Sequence, residues 1–293
     1  MLESYARDTR NVLARLASES RVVRTACGPL ECASSGNGPA VLISHGTATG
    51  FDQGLALGRL LGTFRRLAVS RPGHLRTPLS VGATPEAQAD AYAALLDLFG
   101  IQRAAILALS GGTPSALQFA LRYPDRCSGL VIVSGVSRLL RPLPLPLRAA
   151  YYVLRLVDSA PWLARRLVPT LIYRFLGTRK ALLRPALQDP RKRQLIEGIV
   201  WSSFPIAPRR AGLIADVDTL THLPSYPLNR LRIPALVIHG TEDPIVPFAQ
   251  AEWTANVVPG ATLLAIVGGG HLSLATHIEQ VEPAITAFLG EYG

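Results

Sequence analysis

The sequence predicts an α/β fold: a mostly parallel sheet of about eight strands with helices on both faces and a helical segment inserted between two of the strands. Three observations support this. Short, continuous apolar runs recur along the chain, as expected for strands buried on both faces of a parallel sheet. Helical patterns alternate with most of those runs. Between Ser137 and Leu228 the alternation stops for about ninety residues, too long for a loop in a compact fold, so that stretch reads as a helical insertion.

Taken in order, an opening helix is expected over about residues 2–19, followed by a hairpin in which VVRTAC and LECAS flank Gly28-Pro29. Ala40–Ser44 is the first fully apolar strand. Leu67–Ser70, Ala104–Leu109, Leu130–Ser134, Ala235–Ile238 and Leu263–Val267 follow. The clearest helix begins after Thr84, whose side chain can cap it. Pro85 fits its first turn, its apolar residues recur at i, i+4, i+7 and i+8, and Gly100 ends it. Further helices are expected at about Pro114–Arg122, Phe248–Val258 and Ile278–Leu289. This organisation divides the chain into a first core part (1–136), a helical cap (137–228) and a second core part (229–293).

Composition narrows the possibilities. With 293 residues, 48% apolar and 17% charged, the chain is globular rather than disordered or fibrous. Its three cysteines, Cys27, Cys32 and Cys127, form neither a disulfide framework nor a CxxC pair, and no apolar stretch is long enough to span a membrane or serve as a secretory signal. Cytoplasmic residence is the expectation. There is no Gly-Lys-Ser/Thr phosphate loop, no GxGxxG after the first strands, no HExxH and no zinc-spaced histidine pair, so neither cofactor nor metal is expected.

The chemistry concentrates at strand ends. In Ala104-Ala-Ile-Leu-Ala-Leu-Ser110-Gly111-Gly112 a buried strand runs straight into a helix through a serine. Ala108 and Gly112, two residues to either side, relieve the crowding of such a bend. The Gly111 amide, at the helix start, can donate to an oxyanion. A later strand ends in Gly240-Thr-Glu-Asp243-Pro, and the last one in Gly268-Gly-Gly-His271. All three segments lie past the C-terminal ends of strands, where open α/β sheets keep their sites.

With His45-Gly46 after the third strand as a fourth segment in register, the sequence resembles the α/β-hydrolase family over nearly its whole length. The resemblance implies Ser110 as nucleophile, His271 as general base and acid, and Asp243 as the carboxylate that orients the imidazole. It also implies an oxyanion hole made by the backbone amides of Gly111 and Thr47, with Ala48 as the competing donor. His45, Leu109 and Trp162 are expected to contact the substrate. His239 reads as structural or as part of the pocket floor, His74 as a conformational lock in its turn, and His277 as a residue of the final helix. A serine rather than an aspartate at the elbow argues against the dehalogenase and epoxide-hydrolase branches. The expected reaction is hydrolysis of a carboxylic ester of a hydrophobic small molecule. The same triad could instead act on a thioester, lactone, peptide-imino or carbon-carbon bond, and the scaffold could also serve a non-catalytic binding protein.

The net charge of +10 is local. Residues 138–193 hold thirteen basic and two acidic residues, a net +11, which leaves the remainder of the chain at −1. Leu, Val, Tyr, Trp162 and Phe175 alternate with these arginines, a pattern that suits a lid covering an apolar pocket or lying on an anionic membrane surface. No nucleic-acid reading motif accompanies the charge, so nucleic acid is not expected as a partner. Nothing in the periodicity sets the oligomeric state.

Overall fold

The computed structural model describes residues 1–177 and 179–292, leaving out the side chain of Pro146. Eight strands form one sheet: β1 (Arg21–Thr25), β2 (Gly28–Ser35), β3 (Ala40–Ser44), β4 (Arg65–Val69), β5 (Ala104–Leu109), β6 (Cys127–Val133), β7 (Ala235–Gly240) and β8 (Thr262–Ile266). Their spatial order is β1-β2-β4-β3-β5-β6-β7-β8. β1, β2 and β4 pair antiparallel, and every pairing from β4 to β8 is parallel.

The strands lie where the apolar runs predict them, with β6 starting three residues earlier, at Cys127, and β7 running on to Gly240. β3 and β5 are buried at every residue, as strands covered on both faces must be. Their side chains alternate between two cores. Leu42, Ile106 and Leu130 point into one, beneath helices Pro85–Leu98 and Thr113–Arg122. Val41, Ile43, Leu107, Val131 and Val133 point into the other, with residues of helices Phe51–Leu57 and Ile278–Tyr292. Thr84 caps helix Pro85–Leu98 by accepting from the Ala87 amide, and Gly100 follows the helix with φ of +64°.

Strand order decides where a site can form. From β3 the chain crosses to β4 on one side, and from β4 it returns to β5 on the other, so the ends of β3 and β5 flank a topological switch point.

Between β6 and β7 the described residues form helices and short 3₁₀ turns and no strand. The α-helices are Leu145–Leu156, Ala160–Leu167, Pro169–Phe175, Lys180–Gln188, Pro190–Val200 and Arg210–His222. Their apolar residues Tyr173, Leu183, Leu195 and Ile199, with Trp201 of the 3₁₀ turn that follows, join the same core as Leu109 and Leu272. Gly198 lets helix Pro190–Val200 approach helix Phe51–Leu57 closely, since a Cβ there would lie 2.7 Å from the Ala56 methyl. The N-terminal helix Leu2–Glu19 buries Leu16 against Ala33, Phe51 and Ala68.

Candidate active site

β5 ends in a 3₁₀ turn, Ser110–Gly112, that runs into helix Thr113–Arg122. Ser110 has φ of +49°, a left-handed conformation unfavourable for a residue with a Cβ and held here by its surroundings. The following glycines make the turn possible. A Cβ on Gly111 would collide with the Thr47 hydroxyl, and one on Gly112 would come within 2.5 Å of the His45 carbonyl oxygen. Ala108 faces Ser44 across the β3–β5 register and is fully buried.

The loop after β3 supplies the opposite wall. The Gly46 amide donates to Gln53 Oε1 at 2.7 Å, and the Thr49 hydroxyl donates to the Gly46 carbonyl at 2.8 Å. From below, Arg71 Nε donates to the His45 carbonyl at 3.0 Å and its Nη2 to the Gly46 carbonyl at 3.2 Å. Among the described residues, the Thr47 amide holds no backbone partner, and the buried Thr47 hydroxyl has none either. That amide lies 3.3 Å from where a Cβ on Gly111 would stand, so the Thr47 and Gly111 main chains face one another beside Ser110.

Asp243 lies in the turn after β7. Its Oδ1 accepts from the amides of Ile245 at 2.8 Å and Val246 at 3.0 Å, and its Oδ2 accepts from His271 Nδ1 at 2.7 Å. His239 Nε2 donates to the Val246 carbonyl at 2.9 Å and lies 3.3 Å from the same Oδ2. Burial pushes the Asp243 carboxyl up, but His271 beside it and the hydrogen bond from His239 outweigh this and hold it well below the usual carboxylate range. With Nδ1 committed to Asp243, His271 Nε2 is the basic nitrogen.

The structure thus brings Asp243 and His271 into direct contact and sets Ser110 two strands away in the sheet from β7. The ends of β5 and β6 link them. The Val136 amide reaches the Ser110 carbonyl at 3.5 Å, and the Ser134 hydroxyl donates to the His271 carbonyl at 3.4 Å. The Ser110 side chain is half-buried and holds no hydrogen bond among the described residues.

Two expected substrate contacts are corrected. His45 is fully buried with both ring nitrogens occupied: Nε2 accepts from the Arg71 amide at 2.9 Å and Nδ1 donates to the Gly46 carbonyl at 2.7 Å, so the ring braces the loop instead. Burial, reinforced by Arg71 and His74, holds it neutral, well below its ordinary pKa. Trp162 faces the N-terminal helix, donating from Nε1 to Asp8 at 2.9 Å and packing edge-on against Tyr5, because a buried indole N–H needs an acceptor and Asp8 supplies it. Leu109 is buried in the core shared with the inserted helices. His74 is fully buried beside Asp216, and His277 donates or accepts at the Thr276 hydroxyl at the start of the last helix.

Sequence reasoning missed Arg71, Gln53, Asp216 and Leu176. Arg71 is fully buried and pairs with Asp216 of helix Arg210–His222 through two hydrogen bonds of 2.5 and 2.6 Å. Burial works against the Arg71 charge, and the Asp216 carboxylate reverses the effect. The Arg71-Pro-Gly-His motif marks a turn at a strand end, but nothing near Asp216 marks its partner. Among the described residues, no group of three or more His, Cys, Asp or Glu is placed to hold a metal ion.

This sheet, with a serine on the strand-to-helix turn and an Asp-His pair on the last two strand ends, defines an α/β hydrolase. The chain belongs to that family: residues 39–278 match the alpha/beta hydrolase fold. It is similar to an alpha/beta hydrolase fold protein from Nakamurella multipartita, with a TM-score of 0.82 and 31% identity over 92% of this chain and 98% of that one. A thermophilic esterase from Thermogutta terrifontis superposes with a TM-score of 0.71 at 25% identity, covering 93% and 98% of the two chains. A pimeloyl-(acyl-carrier protein) methyl ester esterase from Aromatoleum aromaticum is 30% identical over 83% of this chain and 95% of its own length. No described helix is long and apolar enough to cross a membrane.

Proposed function

We propose that this α/β hydrolase is a cytoplasmic serine esterase that cleaves carboxylic esters of hydrophobic small molecules through an acyl-enzyme, with residues 137–228 as its cap. The observation that carries the reading is the 2.7 Å contact between His271 Nδ1 and Asp243 Oδ2, with Ser110 on its strained turn beside two facing main-chain segments. Ser110 Oγ attacks the ester carbonyl carbon and passes its proton to His271 Nε2, while Asp243 stabilises the imidazolium. The Thr47 and Gly111 amides receive the developing oxyanion, each such donor being worth about 100- to 1,000-fold in rate. Collapse of the tetrahedral adduct expels the alcohol, which takes the proton from His271, and water then repeats the sequence to release the acid. Among the described residues the Ser110 hydroxyl holds no hydrogen bond, and catalytic contacts of this kind tighten when substrate binds. The apolar side chains that the cap contributes next to Leu109 support a hydrophobic acyl or alcohol group.

Labelling with a fluorophosphonate probe tests the reading. Wild type should react and Ser110→Ala should not, and p-nitrophenyl esters should be cleaved faster with medium or long acyl chains than with acetate. Failure of well-folded wild type to label would refute the serine mechanism. A flat chain-length profile would refute the hydrophobic substrate.

A further inference from the structure

Helix Leu145–Leu156 is apolar on two faces. Leu147, Tyr151 and Leu154 turn inward, packing against clusters that contain Leu140 and Leu220 on one side and Ile206 and Leu213 on the other. Leu145, Tyr152, Val153 and Leu156 turn outward and are 68%, 52%, 49% and 75% exposed. Positions i, i+7, i+8 and i+11 form one stripe along a helix of about 18 Å. Scattered single leucines on a surface need no explanation, but an aligned apolar face does. Leu167, Val168 and Leu171 are exposed as well, where helix Ala160–Leu167 meets helix Pro169–Phe175.

The same helices carry Arg148, Arg155, Arg165, Arg166 and Arg174, all exposed. Among the described residues, only Arg166 of these five forms an ion pair, with Asp8. Asp158, the one acid within residues 145–175, is already paired with Arg210. The surface therefore offers leucines and tyrosine together with unneutralised guanidinium groups.

We propose that this face docks the cap onto an anionic phospholipid bilayer, with Leu145, Tyr152, Val153 and Leu156 entering the headgroup and acyl boundary and the flanking arginines meeting lipid phosphates. Charge complementarity selects this occupant. A second copy of the chain would bring the same net +11 segment against itself. An acidic protein would neutralise the arginines but leave no reason for the aligned leucines. A bilayer surface satisfies both, and arginine stems can lie along apolar surface while their heads reach phosphate. The helix is too short to span, so it lies in the interface plane.

Vesicle flotation of the full chain provides the test. The chain should float with vesicles of phosphatidylcholine containing about one quarter phosphatidylserine, stay behind with phosphatidylcholine alone, and be released as salt is raised. Leu145→Glu with Leu156→Glu should abolish flotation, and Arg148→Glu should weaken it at least about fivefold, the effect of one arginine near an anionic surface. Fluorophosphonate reactivity and thermal unfolding of the variants, compared with wild type, show that they remain folded, since none of the three residues belongs to the site. Absence of flotation with anionic vesicles would overturn the proposal, as would equal flotation of the Leu145→Glu, Leu156→Glu protein. Binding to an acidic protein without binding to vesicles, or a solution dimer broken by the double substitution, would assign the face to another occupant and overturn it equally.

Discussion

The main-chain amide of His271 donates to the carbonyl of Leu176 at 3.0 Å, so the inserted segment meets the His271 loop directly through backbone. The contact is reinforced next door. Gly177, with φ of +78°, lies against Pro244 and Gly270, and a Cβ on Gly270 would collide with the Gly177 carbonyl. On the exposed flank, Arg179 pairs with Glu242. The position of His271 thus depends on where the segment between β6 and β7 sits.

That dependence predicts the effect of Gly270→Ala. The methyl group must push the Leu176–Gly177 strap and the His271 loop apart, and a misplacement of roughly 1 Å at a catalytic group costs on the order of 100-fold in rate. A drop of about that size in kcat/KM for a p-nitrophenyl ester is expected, with unchanged far-ultraviolet circular dichroism. Gly290→Ala, at a position with open space around it, is the control. Wild-type kinetics in Gly270→Ala would show that the strap does not position His271.

Arg71 does two things at once, and they can be separated. Removing one partner of a buried ion pair strands the other, so Asp216→Ala should lower stability by about 3–5 kcal/mol in urea unfolding. Replacing both partners by apolar residues, as in Arg71→Met with Asp216→Leu, should restore most of that stability. It should not restore kcat, because the His45 and Gly46 carbonyls lose the guanidinium that holds them. A double variant with wild-type kcat would remove Arg71 from the positioning of the His45-Gly46 loop.

His74 makes folding sensitive to acid. Burial lowers its pKa to about 4; Asp216 pulls the other way, while Arg71 and Arg209 add to the lowering, and His45 lies edge-on to its ring. Between pH about 6.5 and 4 the unfolded chain therefore binds a proton that the folded chain refuses, so stability is complete above this window and falls as the pH drops through it. The expected loss is about 3 kcal/mol across the window. His74→Gln should lessen, without abolishing, the dependence of unfolding free energy on pH over that range, since the buried His45 contributes in the same direction. Parallel slopes for the two proteins would assign the acid sensitivity elsewhere.

The strands, the serine turn and the Asp243 and His271 loops were legible because each is a local pattern. A run such as Ala104–Leu109 can satisfy its apolar side chains only inside a two-sided sheet, and a serine between Leu109 and two glycines can only mark a tight exit from it. The inserted helices announced themselves by composition, but their contacts did not. Trp162 read as a pocket residue because an apolar aromatic in a cap is as suited to a pocket as to a helix interface, and the choice rests with Asp8, 154 residues earlier.

The sequence by itself determined the fold class, the order of the site residues along the chain and the concentration of charge in residues 138–193. Tertiary structure alone decided that Arg71 meets Asp216 across 145 residues, that Leu176 holds His271, and which leucines of helix Leu145–Leu156 remain in water. The reason is physical. Periodicity and turn chemistry act over a few residues, whereas the partner of a buried charge or a main-chain amide depends on how separately formed helices come to rest against the sheet.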